Sequence, residues 1–405
     1  MKKLLQINIT ANWGSHGKIA EGIGQAAIKQ GWQSYIAYGR WANPSASNLF
    51  HIGNRWDEMR HGVASRLFDN HGLMSQKATK LLLQFIRNVN PDIVHLHNIH
   101  GYYLNYPLLF QYLRQHDIPV VWTLHDCWSF TGHCAHYEFI GCEKWKTHCA
   151  ECPQKGAYPK SLLLDRSYRN FEQKKDTFLS LNRLTLVPVS QWLQRQLQQS
   201  FFKHTPTRLI YNGIDTNVFS KQTEVNWIKK KYGIPEHCAI VLGIASNWYR
   251  KGLPDFLQLA SLLPPSIRIV LVGLNKQEQK LAARAGIVSI SRTDNLHELC
   301  SLYSVANVYF NPTWEDTFPT TNLEAMACGT PVVTYNTGGS PETVTAGTGL
   351  VIEKGDIQTA AIEIGRLCQQ PATTFEDVCR QRIVRHFNKE ERFSEYLELY
   401  SRLLK

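Results

Sequence analysis

Short runs of valine, isoleucine and leucine recur along the chain, separated by longer stretches in which apolar residues return every three or four positions. The runs at 4–9, 34–38, 92–97, 120–124 and 184–189 in the first half read as strands, as do those at 208–211, 239–245, 267–272, 287–290, 308–310 and 332–334 in the second. They lack polar alternation, as a sheet covered on both faces requires. Helical periodicity over 18–29, 77–88, 254–262, 295–304 and 375–386 fits between them. Strand and helix in alternation imply right-handed crossovers and parallel sheets. Because 405 residues exceed what one core usually holds, the pattern predicts two doubly wound α/β domains. Their expected extents are 1–188, with a cysteine-rich insertion at 127–153, and 189–387. An amphipathic helix over 388–405 follows, with Phe393, Tyr396, Leu397, Tyr400 and Leu404 at helical spacing.

The opening apolar run is broken by Gln6 and Asn8, so it reads as a first strand rather than an export signal. No run approaches the roughly 20 apolar residues of a membrane span. Both features predict a cytoplasmic protein. The net charge of +11 is concentrated in the first half, with 21 basic against 13 acidic residues over 1–190 and 23 against 20 over 191–405. A basic face attracts nucleic acid, an anionic bilayer or a phosphorylated substrate. Basic and aromatic residues are not interleaved as in a recognisable nucleic-acid module, which ranks that partner last. The stretch 55–87 carries Arg55, Arg60, Arg66, Lys77, Lys80 and Arg87 with Trp56, Leu67, Phe68 and Leu73. It reads either as solvated helices or as a surface resting on an anionic membrane.

Three segments carry chemistry. After the 308–310 strand, a loop bears Glu315 and Asp316, and Phe318 and Pro319 lead into a helix opening at Thr320 and Thr321. Free N–H groups at such an opening attract a diphosphate. Glu324, one turn further, can accept hydrogen bonds from a ribose, and Gly329-Thr330-Pro331 ends the helix and launches the next strand. The alternative is an ordinary loop with solvated acids. Arg250 and Lys251 follow the 239–245 strand; cations there would oppose a leaving diphosphate on which negative charge grows, or simply decorate a turn. Gly14 and Gly17, between the first strand and its helix, allow backbone amides to approach a phosphate or sugar.

The segment 316–333 resembles the donor-site signature of retaining glycosyltransferase family 4, an E-x7-E pair followed by A-M-A-x-G-x-P-V-V. Asp316 and Glu324 match the pair, with Asp in place of the first Glu and Glu315 one residue out of register. The resemblance implies a GT-B fold, with two Rossmann-like domains facing across an interdomain cleft, the donor on the C-terminal domain and a final crossover helix. It implies a catalytic set of His125, Asp316 and Lys251. His125 would lie near the transferred sugar, although a structural histidine is the alternative. The implied donor-binding set is Gly14, Gly17, Arg250, Lys251, Phe318, Thr320, Thr321 and Glu324. The family's usual arginine falls at Ser246 here, leaving Arg250 as its substitute. His95, His97 and His100 are expected to pack or line the site.

By the same resemblance, the expected activity is hexose transfer from a nucleotide-sugar to a lipid-linked oligosaccharide in bacterial O-antigen or exopolysaccharide synthesis. Peripheral association with the inner membrane is expected, and no cofactor is expected for catalysis. An epimerase or phosphorylase on the same fold, and a zinc-containing nucleic-acid-binding protein, are the rival readings. Cys134, Cys142, Cys149 and Cys152 have the ligand type of a structural zinc site, with reduced thiols or disulfides as alternatives. Similar clusters accompany the H-D-x-W-x-F-T-G segment, here 125–132, in a bacterial subset of the family. The remaining scattered cysteines read as buried thiols.

Overall fold

The computed structural model describes residues 1–245 and 248–405. The first sheet comprises β1 (Lys3–Ala11), β2 (Gln33–Ala42), β3 (Asn48–His51), β4 (Ile93–Leu96), β5 (Val120–Leu124) and β6 (Leu184–Pro188), in the order β3-β2-β1-β4-β5-β6. The second comprises β7 (Ala239–Ile244), β8 (Ile267–Val272), β9 (Val288–Ile290), β10 (Val308–Asn311), β11 (Val332–Tyr335) and β12 (Gly349–Ile352), in the order β12-β11-β10-β7-β8-β9. Pairing is parallel throughout both. Read from its other edge, the second sheet repeats the strand order of the first. Each therefore reverses direction once, between β1 and β4 and between β7 and β10. Loops leaving the carboxyl ends of the strands at such a reversal form a natural ligand crevice. Strands β4, β5, β6, β10 and β11 are buried along their whole length, as their lack of polar alternation requires.

The chain forms two compact units, Met1–Tyr211 with Glu390–Lys405, and Asn212–Lys389. The first ends later than the break expected at 188/189. Residues 208–211 are also not a strand: a single bridge joins Leu186 to Thr207. Arg208 N donates to Leu186 O (2.9 Å) and Ile210 N to Pro188 O (3.3 Å), so the segment runs beside β6 with Ile210 in the core of the first unit. Strands β3 and β12 lie outside the expected runs: β3 is an exposed edge sequence without an apolar run, whereas the apolar run 350–352 of β12 was not assigned.

The helix Lys389–Leu403 is built into the first unit from Glu390 onward. Its Phe393, Tyr396, Leu397 and Tyr400 join Leu4, Ile19, Ile23 and Trp32 in one core, each buried side chain contributing roughly 1.5–3 kcal/mol. Gly22 makes room for it, since a Cβ there would come within 2.1 Å of the Phe393 ring. Tyr400 OH bonds His95 Nδ1 at 2.6 Å, and Thr123 Oγ1 donates to Tyr396 OH at 3.1 Å. Among the described residues, no helix is long and apolar enough to cross a membrane.

Candidate active-site residues in the two units

In the second unit, the strand reversal brings together the loop after β7 and the loop after β10. Gly252, at φ +77°, is held within reach of Pro312, where a Cβ would meet the Pro312 carbonyl at 2.3 Å. Trp314 N donates to Arg250 O at 2.9 Å, locking one loop to the other. Side chains then pair across the seam, Arg250 with Glu315 at 3.4 Å and Lys251 with Asp316. Glu315, one residue out of register in the sequence pattern, is thus the buried partner of Arg250. Asp316 also accepts from Phe318 N at 3.1 Å. Ser246 lies outside the described residues.

The helix Thr320–Ala327 opens at Pro319, and no side chain caps it. Its first N–H groups and the Arg250–Lys251 pair therefore belong to the same two loops, an arrangement suited to an anion. Glu324 Oε2 accepts from the buried Tyr303 OH at 2.9 Å, which orients the carboxylate. Thr321 meets the Tyr309 hydroxyl, and Asn311 Nδ2 donates to Asn322 Oδ1 at 2.8 Å, fixing the helix to β10.

Gly338 (φ +54°) places its backbone against Asp316, and a Cβ would lie 1.8 Å from the Asp316 carbonyl oxygen. Gly338→Ala is therefore expected to destabilise the protein by at least about 2 kcal/mol, through both the left-handed backbone and the clash. It should also displace Asp316. Denaturant unfolding with a donor-binding titration checks both, and an unchanged midpoint would contradict this packing.

In the first unit, Gly14 (φ +67°) has open space where a Cβ would stand, whereas a Cβ at Gly17 would come within 2.5 Å of the Thr10 hydroxyl. Asn12 N donates to Gly17 O at 3.1 Å, closing the loop between β1 and its helix. His16 Nδ1 contacts Asn8 Oδ1 at 3.1 Å, and its ring lies 6.0 Å from that of His125. His97 bridges His125 Nε2 (3.2 Å) and Gln6 Oε1 (3.1 Å), so it orients His125 rather than merely packing. Because Gln6 Nε2 donates to Ala20 O, its Oε1 accepts from His97 Nε2–H. In a neutral His97, Nδ1 is then the acceptor from His125 Nε2–H, which makes Nδ1 the acceptor nitrogen of His125. Burial first, then the neighbouring His97 and His16, hold His125 below its usual range and keep it neutral.

Asp126, beside His125 in sequence, accepts from His100 Nε2 at 2.8 Å, while His100 Nδ1 contacts Tyr158 OH at 3.0 Å. Burial raises the Asp126 carboxyl, but the His100 charge and hydrogen bond outweigh it and leave it ionised well below the usual range. Lys174, buried and donating to Trp128 O (2.7 Å) and Thr131 O (3.0 Å), holds the following loop in place. Burial draws its pKa down to about 7. A lysine in an unremarkable helical stretch carries no local sign of this role.

For the zinc reading, the structure offers the four cysteines around one cavity but, among the described residues, no assembled ligand set. Cys134, Cys142, Cys149 and Cys152 line one small cavity, and all are free thiols. Among the described residues, no group of three or more histidine, cysteine or acidic side chains could hold a metal ion. Cys152 is held down to about 7 by its hydrogen bond with Cys134, which is correspondingly raised. Nearby, His133 Nδ1 meets Asp69 at 2.6 Å and His148 Nε2 lies 2.9 Å from Glu172, while His133 Nε2 is buried without a hydrogen bond.

One parallel α/β unit has cations and an uncapped helix at its strand reversal, and the other carries a neutral histidine after β5, an arrangement suited to group transfer. The family models agree. Residues 18–218 match Glycosyltransferase Family 4, and residues 225–383 match Glycosyl transferases group 1. The chain belongs to the glycosyltransferases that join these two halves. It is 24% identical to the putative colanic acid biosynthesis glycosyl transferase WcaC of Escherichia coli K12, over 99% of this chain and 100% of that one. A glycosyltransferase from Rickettsia africae superposes with a TM-score of 0.72 at 15% identity, covering 100% of this chain and 99% of that one. Anabaena Alr3699/HepE in complex with UDP gives 0.68 at 14%, covering 99% and 100%. Both structures share the GT-B fold.

Proposed function

We propose that this chain is a retaining glycosyltransferase that moves a hexose from a nucleoside-diphosphate sugar to a lipid-linked saccharide in bacterial surface polysaccharide synthesis, O-antigen or exopolysaccharide. The observation that carries it is the joining of Arg250, Lys251 and the open end of the helix Thr320–Ala327 at one strand reversal, with Glu324 oriented by Tyr303 one turn on. Arg250 and Lys251 would exchange their carboxylate partners for the diphosphate, Glu324 would hold the ribose, and Asp316 would turn to the sugar hydroxyls. Phe318, Thr320 and Thr321 would form the wall and the amide end against the diphosphate.

In the first unit, Gly14 offers open backbone and His125 an acceptor nitrogen for a sugar hydroxyl. As the bond from the anomeric carbon to the phosphate oxygen breaks, the acceptor oxygen bonds that carbon from the same face. Its proton passes to the departing phosphate oxygen, and the cations stabilise the charge left there. The full-length likeness to WcaC supports the polysaccharide assignment. A lipid-linked acceptor places the reaction at the cytoplasmic face of the inner membrane.

A thermal-shift screen against UDP-, GDP- and dTDP-sugars tests the donor. One nucleotide class is expected to raise the melting temperature, and Glu324→Ala to abolish that rise, losing about 10- to 100-fold in affinity. No shift with any nucleotide from a folded protein would refute the donor site. Product anomers identified by NMR then decide retention.

A further inference from the structure

The helix Arg55–Phe68 is inverted in polarity. It buries His61, Gly62 and Ser65, while Trp56 (71% exposed), Met59 and Val63 face solvent at spacings of three and four. Soluble helices bury their apolar stripe, so an outward apolar stripe needs another partner. Arg55, Arg60 and Arg66 share that exposed face. The two acids of the helix are otherwise engaged, Asp57 in the capping box with Asn54 and Glu58 with Arg40 at 3.3 Å.

A second apolar element adjoins it. Leu162, Leu163 and Leu164 are consecutive and exposed, and the N–H groups of Leu162 and Leu164 donate to Arg66 O and Leu67 O, anchoring the leucine loop to the end of the helix. Lys160 precedes the loop, and Asp165 follows it with its oxygens bound to the N–H groups of Cys152 and Ser167. On the helix's other flank, a groove of about 710 Å³ runs to the helix Gln76–Val89, lined by Trp56, Arg60, Lys77 and Leu81 among others.

We propose that the outer face of Arg55–Phe68 and the leucine loop 162–164 insert together into an anionic phospholipid bilayer, with Arg60 and Lys77 taking headgroup phosphates in the adjoining groove. The chemistry is that of an interfacial helix: an aromatic and aliphatic stripe at acyl-chain depth, flanked by arginines that reach back to the phosphates. Charge complementarity selects an anionic surface, since the cations of this face outnumber acids that are already hydrogen-bonded or paired. The inference rests on the proposed membrane-borne acceptor, but its test requires no transfer activity.

The full chain is floated with phosphatidylcholine vesicles, with and without phosphatidylglycerol, over a salt series. Binding is expected with phosphatidylglycerol and should weaken with salt. Arg60→Gln and Lys77→Gln are each expected to cost about fivefold in partitioning. Trp56→Ser with Leu163→Ser should cost more than tenfold, while melting temperature and nucleotide-sugar binding stay unchanged. Brominated lipids should quench the wild type more than Trp56→Phe, which reports insertion depth rather than mere adhesion. Flotation independent of phosphatidylglycerol, or variants that bind like wild type, would overturn the proposal. So would light scattering that shows a dimer dissociated by the Trp56→Ser/Leu163→Ser double variant, because a second copy would then cover the face. Loss of flotation with intact donor binding would leave the transferase assignment standing.

Discussion

Replacing Lys251 with alanine is expected to lower kcat by about 10²- to 10³-fold, with a much smaller change in the donor's KM. Lys251 sits at the seam of the two loops, paired with Asp316 and next to Arg250, which has its own carboxylate. In the ground state, the diphosphate already carries charge that Arg250 and the helix end can share. As the glycosidic bond breaks, additional negative charge develops on the bridging oxygen, and an ammonium at that point acts on the transition state more than on the bound donor. Removing it also takes one partner from Asp316, whose carboxylate keeps the Phe318 N–H. Steady-state kinetics with varied donor, alongside a melting curve, separate these effects. A variant that raises only KM would show that Lys251 binds donor without assisting departure of the diphosphate, and a collapsed melting temperature would mark a structural role.

Acid is expected to unfold the first unit selectively. His61 is fully buried, and its Nε2 accepts from Gly72 N–H at 3.0 Å while Nδ1 contacts Ser75 Oγ at 2.8 Å. His71 Nε2 likewise accepts from Gly101 N–H at 3.1 Å. A nitrogen that receives an N–H cannot itself be protonated without losing that bond. Burial, then the Arg40 charge, draws His61 from 6.5 down to about 3, and burial foremost draws His71 well below its ordinary value.

With folded-state values below the unfolded one, the unfolded chain binds more protons as pH falls. The stability contributed is complete above about pH 6.5 and is lost progressively as pH falls toward about 3. For His61 the full loss is on the order of 5 kcal/mol, comparable to the whole stability of many domains. In the second unit, His237, His297 and His386 are exposed. Urea midpoints measured across this range, with hydrogen exchange resolving the two units, should show the first unit falling earlier. His61→Gln retains an acceptor for Gly72 N–H and should flatten the slope. An identical slope in that variant would refute the role of His61.

What was legible in the sequence is what neighbouring residues decide together. Apolar runs alternating with helical periodicity sufficed for two parallel sheets, because strand burial leaves its mark within a few residues. The string from Asp316 to Val333 marked the loop proposed to hold the donor, since a turn, a helix opening and a strand launch are local events. The same locality explains why residues 208–211, apolar but held by one bridge, read as a strand, and why the exposed edge strand β3 did not. It also explains a cysteine set that suits zinc by residue type, whereas only the fold decides how those thiols face one another.

Long-range juxtaposition settled the rest. Only the fold joins Arg250 to Glu315, Asp126 to His100 and His97 to His125, because their separations along the chain carry no period. Only the fold sets the final helix into the first unit, where its aromatic residues find the core that Gly22 leaves open. Local patterns along the chain were enough for the sheets and for the loop that the proposed donor site occupies. The tertiary structure alone decided which charges are paired, which histidines must stay neutral and which apolar residues face water, because each depends on what distant strands bring alongside.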